Sequence, residues 1–189
     1  MRYENSYSED TFYAERLCQL HGFSRDDIVK HLSDVIRACE THDPNTIRAA
    51  VPMYLLAKHI AEETDVKVVL SGEGADEIFA GYNYFRLALD GDSVNEECAR
   101  LVRNIHTFDL LRADRCFAAF GLEVRVPYLD RDVIARVATF KGRLKMFMNR
   151  EEKTLLRRAF ADFEDLQKTG ILRRAKERFS DGIHVPEDL

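Results

Sequence analysis

Residues 71–77 read Ser-Gly-Glu-Gly-Ala-Asp-Glu and place three carboxylates beside two glycines. They directly follow the apolar run VKVVL at residues 66–70, which predicts a strand buried in a parallel sheet. In open α/β sheets, ligands bind beyond the carboxyl ends of the strands, where a turn leads into a helix. Glycine lets the backbone approach a ligand closely, and the N–H groups that begin a helix favour an anion. The segment is therefore predicted to form a binding site.

The acidic residues of this segment also have a structural interpretation. Asp76 and Glu77 fall in the first turn of a helix predicted to run from Asp76 to Leu89, where negative charge stabilises the helix dipole. For Glu77 the structural and functional interpretations both stay open. Glu73 lies between two glycines at the end of a strand, where a carboxylate has little structural use. Glu73 is therefore the first candidate for chemistry.

The elements that must position these residues are mostly helical. Ser24 is a predicted cap for an amphipathic helix whose apolar face carries Ile28, Leu32, Val35, Ile36 and Cys39. The next helix is predicted to begin at an Asp-Pro cap at residues 43–44 and to restart at Pro52. Further helices are predicted over residues 94–108, up to residue 119, after Asp130 as a cap, and over residues 151–160. Residues 10–20 fit either a short helix or a strand.

The predicted fold class is α/β and helix-rich, with a single predicted strand. A parallel strand needs neighbours because its backbone groups bond outward on both sides. We therefore expect either further strands with a weak sequence pattern or a place for this chain in a larger sheet. Met146 and Met148, on either side of Phe147, are predicted to fill core.

Composition narrows the class of protein. The 189 residues suffice for one domain, and 46% hydrophobic with 32% charged residues is typical of soluble globular proteins. The net charge of −5 gives no reason to expect a nucleic-acid partner. No apolar run approaches the ~20 residues of a membrane span, and the amino terminus lacks the apolar segment of a secretory signal.

The scattered Cys18, Cys39, Cys98 and Cys116 are expected to be reduced packing residues in a cytoplasmic protein. No cysteine–histidine cluster predicts a metal site.

The segment LSGEGADEIFAGY resembles the signature of the synthetase domain of glutamine-dependent asparagine synthetases. Four further segments resemble blocks of the same family, in the same order: ETHDPNTIRAAVPMYL, FDLLRADRCFAAFGLEVRVPYLD, EKTLLRRAF and KERFSDG. Together they cover most of the chain from Phe23 onward. Five segments in register are far more specific than one glycine motif.

The resemblance implies that residues 1–189 form a carboxyl-terminal, incomplete ATP pyrophosphatase-type domain, with the parallel sheet of adenine nucleotide alpha hydrolase-like proteins. It also implies a two-step ligase reaction. The β-carboxylate of aspartate would attack the α-phosphate of ATP, giving β-aspartyl-AMP and pyrophosphate, and ammonia would then displace AMP to give asparagine. Mg²⁺ and basic side chains would stabilise the leaving pyrophosphate, and a carboxylate would accept a proton from the attacking amine.

The family match assigns roles to nine residues. They are Glu73, Lys176 and Arg112 for catalysis, Ser71, Gly72 and Lys153 for the nucleotide, and Asp76, Asp109 and Arg125 for the aspartate substrate. Glu73 corresponds to the catalytic glutamate beside the acyl-adenylate, and Lys176 is expected to neutralise charge as pyrophosphate leaves. Tyr82 also matches a family tyrosine, for which a core or pocket-wall position stays equally open.

Several of these residues have structural alternatives. Asp109 could cap a helix, and Arg112 and Arg125 could form surface ion pairs worth ~0–1 kcal/mol. The family position favours a functional role for Asp109 and Arg125. For Lys153, a nucleotide contact and a solvated position on a helix both stay open.

Two family features have no counterpart in the sequence. The family's glutaminase domain begins with a nucleophilic cysteine after the initiator methionine, whereas Arg2 follows Met1 here, and the Ser-Gly-Gly-x-Asp-Ser pyrophosphate loop does not occur. Because one donor in such a loop can be worth ~3 kcal/mol, we expect a protein partner or upstream segment to supply it. Free ammonia or a partner would supply the nitrogen of the amide.

The alternative to a catalytic ligase is a non-catalytic remnant that binds a nucleotide or a protein. The resemblance to a relative that forms β-lactam rings by the same adenylation is weaker, because SGEGADE and the tail at residues 173–189 fit that relative less well.

Overall fold

The computed structural model describes residues 25–147, 151–168, 170 and 172. The helices of these residues are α1 Arg25–Cys39, α2 Pro44–Glu63, α3 Ala75–Ile78, α4 Gly91–Asn104, α5 Asp109–Ala118, α6 Arg131–Ala138, α7 Thr154–Ala159 and α8 Glu164–Lys168. Short 3-10 helices lie at Asn83–Leu87, Ile105–Thr107, Pro127–Leu129 and Gly142–Leu144. The strands β1 Val68–Leu70 and β2 Glu123–Arg125 form a two-stranded parallel sheet. The predicted helix-rich α/β class is confirmed.

The chain divides into two compact units, and the boundary passes through both strands. Of the described residues, 25–69 and 111–124 belong to the first unit, and 70–110, 125–147, 151–168, 170 and 172 belong to the second. The extent of a single partial domain over residues 1–189 stays a prediction. The segment at residues 10–20, the predicted cap Ser24 and Met148 lie outside the described residues.

The core of the first unit is built from α1, α2 and the part of α5 that follows Leu110. Val35, Cys39, Ala50 and Cys116 are fully buried there. The predicted apolar face of α1 is only partly correct, because Leu32 and Ile36 stay 39% and 37% exposed while Val35 and Cys39 are fully covered. The buried stripe of α1 is therefore narrower than the apolar pattern.

The Asp-Pro start of α2 is confirmed. The Asp43 side chain accepts a hydrogen bond of 2.7 Å from the Thr46 N–H, which satisfies a donor at the helix start. The predicted restart at Pro52 is wrong, since α2 runs unbroken from Pro44 to Glu63 with Pro52 inside it. Proline in a helix interior costs about 3 kcal/mol. Burial of Pro52 together with Val51 and Met53 offsets that cost, which is how tertiary packing overrides local propensity.

The sheet is shorter and more exposed than its sequence predicts. Val68 and Leu70 are 40% and 71% exposed, and Val69 packs against the core of the first unit. The expectation of a strand apolar and buried on both sides is therefore wrong within the described residues, where β1 pairs with β2 alone. The strand β2 was not predicted, because three residues are too few to show a period. It is the weakly patterned neighbour that β1 was expected to need.

The second unit contains two apolar clusters. Ala80, Phe85, Val94 and Cys98 form the first, with Met146 and Phe147 packed against it, so the predicted packing role of Met146 is confirmed. Ile78, Phe79 and Val137 form the second. The Asp130 cap of α6 is confirmed as well, since its side chain accepts a bond of 2.8 Å from the Asp132 N–H.

The predicted helix over residues 76–89 is wrong. The helix α3 ends at Ile78 because Ala80 has a positive φ of 55°, and the chain continues as a 3-10 helix at Asn83–Leu87. The helix predicted at residues 94–108 begins earlier, at Gly91, because Asp90 caps it with a bond of 2.8 Å from the Ser93 N–H. It ends at Asn104 and passes into a 3-10 turn.

Candidate functional site

The turn after β1 is held by backbone and hydroxyl hydrogen bonds. The Ser71 N–H donates to the Arg125 carbonyl at 2.8 Å, which extends the sheet ladder by one residue. The Ser71 Oγ accepts a bond of 3.3 Å from the Glu73 N–H, and the Ala75 N–H donates to the Gly72 carbonyl at 3.3 Å. The predicted order of strand, turn and helix is therefore confirmed, although α3 is short.

The two glycines of this turn serve different purposes. Gly72 is exposed, and a Cβ built on it would meet no atom within 4 Å, so the space above its backbone is open to a bound molecule. Gly74 has a φ of 93°, and a Cβ there would overlap the side chain of Leu129. Gly74 is therefore a structural requirement for the turn. Between them, Glu73 is half-buried.

Asp76 is brought against Lys153, which lies 77 positions away in the sequence. The Lys153 Nζ is 2.9 Å from Asp76 Oδ1, and the two side chains are 19% and 17% exposed. The interpretation of Lys153 as an ordinary solvated helix residue does not fit this geometry. The pair joins a predicted substrate-binding residue to a predicted nucleotide-binding residue.

The position of Lys153 depends on an unusual turn before α7. Lys153 has a φ of 52°, in the left-handed region that residues other than glycine rarely adopt. Next to it, the buried Glu152 forms an ion pair with Arg157, whose Nε also donates to the Glu152 carbonyl at 2.9 Å. The ion pair and this hydrogen bond hold the turn. The helix α7 begins at Thr154 instead of the predicted residue 151.

Gly81 supports the carboxylate of Asp76 from the other side. Its N–H donates to the Asp76 carbonyl at 2.8 Å, and a Cβ built on Gly81 would overlap the Asp76 carboxylate. Sequence reasoning did not single out Gly81. Its place three residues beyond α3, in the run Ala-Gly-Tyr, was the available signal.

Glu77, Tyr82 and Asp109 form a second polar group in the same unit. The Tyr82 hydroxyl is in hydrogen-bond contact with Glu77 Oε1 and lies 3.2 Å from Asp109 Oδ2. Glu77 is only 2% exposed. Burial raises the pKa of Glu77 above its usual value, and the charge of Asp109 raises it further. Burial, with the charges of Glu77 and Asp109, also raises the pKa of Tyr82.

This group resolves some of the open interpretations. Tyr82 is half-buried, packs against the first apolar cluster of its unit and contacts two carboxyl groups through its hydroxyl, and its pocket-wall role stays a prediction. Asp109 is the first residue of α5, and its side chain contacts Tyr82. Glu77, which the sequence left between a structural and a functional interpretation, is a buried member of the group.

The remaining predicted residues are less closely defined. Arg125 is an exposed residue of β2 whose carbonyl meets Ser71. Arg112 lies three residues after Asp109 on α5 and is half-buried. Lys176 lies outside the described residues. The roles of all nine residues stay predictions.

In residues 25–147 and 151–168, no group of three or more His, Cys, Asp or Glu side chains is arranged to hold a metal ion. Within the same part of the chain, every helix is too short or too polar to cross a membrane.

Comparison with known proteins supports the resemblance found in the motifs. The sequence profile of the asparagine synthase family matches residues 2–93 and 87–189. A probable glutamine-hydrolyzing asparagine synthetase of Schizosaccharomyces pombe is 47% identical over 169 residues, which are 86% of this chain and 30% of that protein. The glutamine-hydrolyzing asparagine synthetase of Homo sapiens is 44% identical over 161 residues, covering 85% of this chain and 28% of that protein.

A third relative gives the same result. The glutamine-hydrolyzing asparagine synthetase 1 of Arabidopsis thaliana is 46% identical over 165 residues, covering 85% of this chain and 28% of that protein. The chain thus spans less than a third of the length of the curated relatives that it matches. Because the profile match covers nearly every residue, the chain belongs to the asparagine synthase family.

Proposed function

We propose that this chain acts as an asparagine synthetase-type ligase, which converts aspartate to asparagine with ATP and ammonia as co-substrates. The observation that carries the proposal is the family match over residues 2–93 and 87–189, which includes the acidic turn after β1. The relatives named as asparagine synthetases support the same activity. The grouping of Asp76 with Lys153, and of Asp109 with Tyr82, in one unit supports the proposal, because it offers charged side chains of both signs that a charged amino acid could contact.

The first step forms the activated carboxylate. The β-carboxylate oxygen of aspartate bonds to the α-phosphorus of ATP, and the bond to the bridging oxygen breaks, so that pyrophosphate leaves with its electron pair. The open backbone at Gly72 and the hydroxyl of Ser71 would receive the nucleotide. The ammonium group of Lys153, which lies beside Asp76, would place positive charge near the phosphates. Lys176 would neutralise the negative charge of the leaving pyrophosphate.

The second step forms the amide. Ammonia bonds to the carbonyl carbon of β-aspartyl-AMP, and AMP leaves with the electrons of the broken C–O bond. The attacking nitrogen must lose a proton, which the carboxylate of Glu73 would accept. Asp76, Asp109 and Arg125 would hold the charged groups of aspartate. A protein partner or upstream segment would supply the pyrophosphate loop and, where glutamine is the nitrogen source, the glutaminase.

Mg²⁺ fits this site as a companion of the nucleotide. Proteins usually bind Mg²⁺ through one or two carboxylates together with substrate phosphates. The triphosphate would therefore supply most of its ligands, and the half-buried Asp76 would supply a protein carboxylate. Its contribution would be stabilisation of charge on the phosphates.

The test is exchange of labelled pyrophosphate into ATP, which needs aspartate and reports the first step alone. We would measure the chain by itself and a chimera in which it replaces the matching region of the Schizosaccharomyces pombe relative. We expect little exchange from the chain alone and clear aspartate-dependent exchange from the chimera. A folded chimera that binds ATP and shows no exchange would favour the alternative of a non-catalytic binding module.

Variants of the chimera assign the residues. Glu73→Ala should lower asparagine formation from ammonia by about 10²–10⁴-fold, as expected for loss of a general base. Glu96→Ala, an exposed acid on α4, is the matched control and should leave activity unchanged. Asparagine formation that survives Glu73→Ala would show that Glu73 is not the proton acceptor.

A further inference from the structure

The hydroxyl of Tyr82 contacts two carboxyl groups at once. It meets Glu77 Oε1 in a hydrogen bond and lies 3.2 Å from Asp109 Oδ2. A phenolic hydroxyl carries one proton and therefore donates one hydrogen bond. Two ionised carboxylates accept only, so this hydroxyl cannot donate to both of them at once. A second proton, on one of the two carboxyls, would let that carboxyl donate to the hydroxyl while the hydroxyl donates to the other.

The burial of the two acids indicates which carboxyl carries that proton. Glu77 is 2% exposed, whereas Asp109 is half-buried. Among residues 25–147 and 151–168, no Lys or Arg forms an ion pair with Glu77. A buried carboxylate that lacks a cation is costly, and the acid stays neutral instead. The raised pKa of Glu77 agrees with this assignment.

The charged groups nearby do not change the assignment. Asp76, which raises the pKa of Tyr82, adds negative charge, and Lys153 pairs with it. The thiol of Cys98, close enough for Glu77 to influence it, is itself buried, and burial raises its pKa. The buried Lys145 acts on the same thiol, and the pKa of Glu77 stays raised with all of these groups present.

We propose that Glu77 is a positioning residue, whose carboxylic acid donates to Tyr82 so that Tyr82 can donate to Asp109. The Asp109 carboxyl is then held in a fixed direction for the amino group of aspartate. A neutral Glu77 also keeps one negative charge away from a site that must accept an anionic nucleotide. This inference rests on the proposed function, in which Asp109 belongs to the aspartate pocket.

The same unit provides a matched control. The Tyr84 hydroxyl donates to Glu97 Oε1 at 2.7 Å, so it forms a tyrosine–glutamate bond of the same kind at the surface. Arg100 bonds both carboxylate oxygens of Glu97 at 2.7 Å and holds the pKa of Glu97 below its usual value. Glu97 should therefore be ionised where Glu77 is neutral.

The first test does not depend on activity. The full chain, labelled with ¹³C at glutamate side-chain carboxyls, would be titrated by NMR, and Glu77→Gln and Glu97→Gln would assign the two signals. We expect the Glu77 signal to remain that of the protonated acid at neutral pH, and the Glu97 signal to move at a lower pH than an ordinary glutamate. A Glu77 signal that titrates together with Glu97 would overturn the inference.

The second test uses the exchange assay of the chimera and separates KM from kcat. Glu77→Ala should raise the KM for aspartate about 10-fold, the loss expected for one hydrogen-bonded position, and leave the KM for ATP near the parent value. Glu77→Gln, whose amide donates the same bond, should rescue most of that loss. Glu97→Gln should change neither constant.

The outcomes separate the two proposals. Equal defects in Glu77→Gln and Glu77→Ala, or an unchanged aspartate KM in Glu77→Ala, would refute the positioning role. If the parent chimera shows no exchange, the proposed function fails, and the carboxyl titration still decides whether Glu77 supplies the second proton.

Discussion

Replacing Lys153 by methionine would remove one partner of Asp76 and keep a side chain of similar length. Two unit charges 2.9 Å apart attract by about 6 kcal/mol at an effective dielectric constant of ~20. Most of that attraction is offset by the loss of hydration. Breaking a buried pair costs ~3–5 kcal/mol and exposed pairs contribute ~0.2–1 kcal/mol. For side chains 19% and 17% exposed, we expect a loss of about 2 kcal/mol.

Urea unfolding of the full chain would measure this loss. For a chain of this length, about 2 kcal/mol corresponds to a fall in Tm of roughly 4–8 °C. A double-mutant cycle with Lys153→Met and Asp76→Asn isolates the interaction between the two side chains. Lys168→Met is the control, because Lys168 pairs with Glu164 at 3.5 Å between side chains that are 70% and 82% exposed, and it should scarcely change stability.

The result that would refute this reasoning is additivity. If the two single substitutions account for the double variant to within about 0.5 kcal/mol, the ion pair contributes nothing specific. The same outcome would remove the argument that the ion pair with Asp76 positions Lys153 for a nucleotide contact. If Lys168→Met lowered the stability as much as Lys153→Met, the loss would come from the change in net charge and not from the ion pair with Asp76.

Three further predictions concern the same unit and the core of the first unit. Gly81→Ala should destabilise the chain in urea unfolding, because its Cβ would overlap Asp76, whereas Gly72→Ala, with open space around it, should not. Burial raises the pKa of Glu77 above its usual value of 4.5. Between the pKa of the unfolded chain and the raised pKa of the folded chain, the folded state therefore binds more protons than the unfolded chain. The contribution of Glu77 to stability should therefore fall as pH rises through this range, and Glu77→Gln should remove that contribution from the pH dependence measured by urea unfolding. The buried thiol of Cys116, whose pKa is raised by its hydrogen bond with Cys39 and by burial, should react with a thiol reagent only after unfolding; fast reaction in the folded chain would contradict this.

Features set by neighbouring residues could be predicted from the sequence. Asp43 and Asp130 were correctly identified as caps, because a cap bonds an N–H only two or three residues away. The turn after β1 was predicted from its glycines for the same reason. The positions of Ser71 and Gly72 in that turn follow directly from the local pattern.

Features set by distant residues could not be predicted. The end of α3 depends on the positive φ of Ala80, which no propensity scale anticipates. The approach of Lys153 to Asp76 joins segments 77 residues apart, and the left-handed turn that permits it is held by a separate ion pair. The burial of Glu77 likewise depends on the apolar clusters that surround it, so the sequence could not distinguish a helix-dipole acid from a buried one.

The parallel pairing of β1 with β2 has a consequence for how this scaffold can diverge. The bonds from Glu123 to Lys67 and from Ser71 to Arg125 are formed entirely by main-chain atoms, so they persist whatever side chains the strands carry. The two strand ends can therefore remain aligned at one edge when the side chains at those ends change. Selection can therefore alter the chemistry offered at Ser71 and Arg125 independently, on an anchor that tolerates either change.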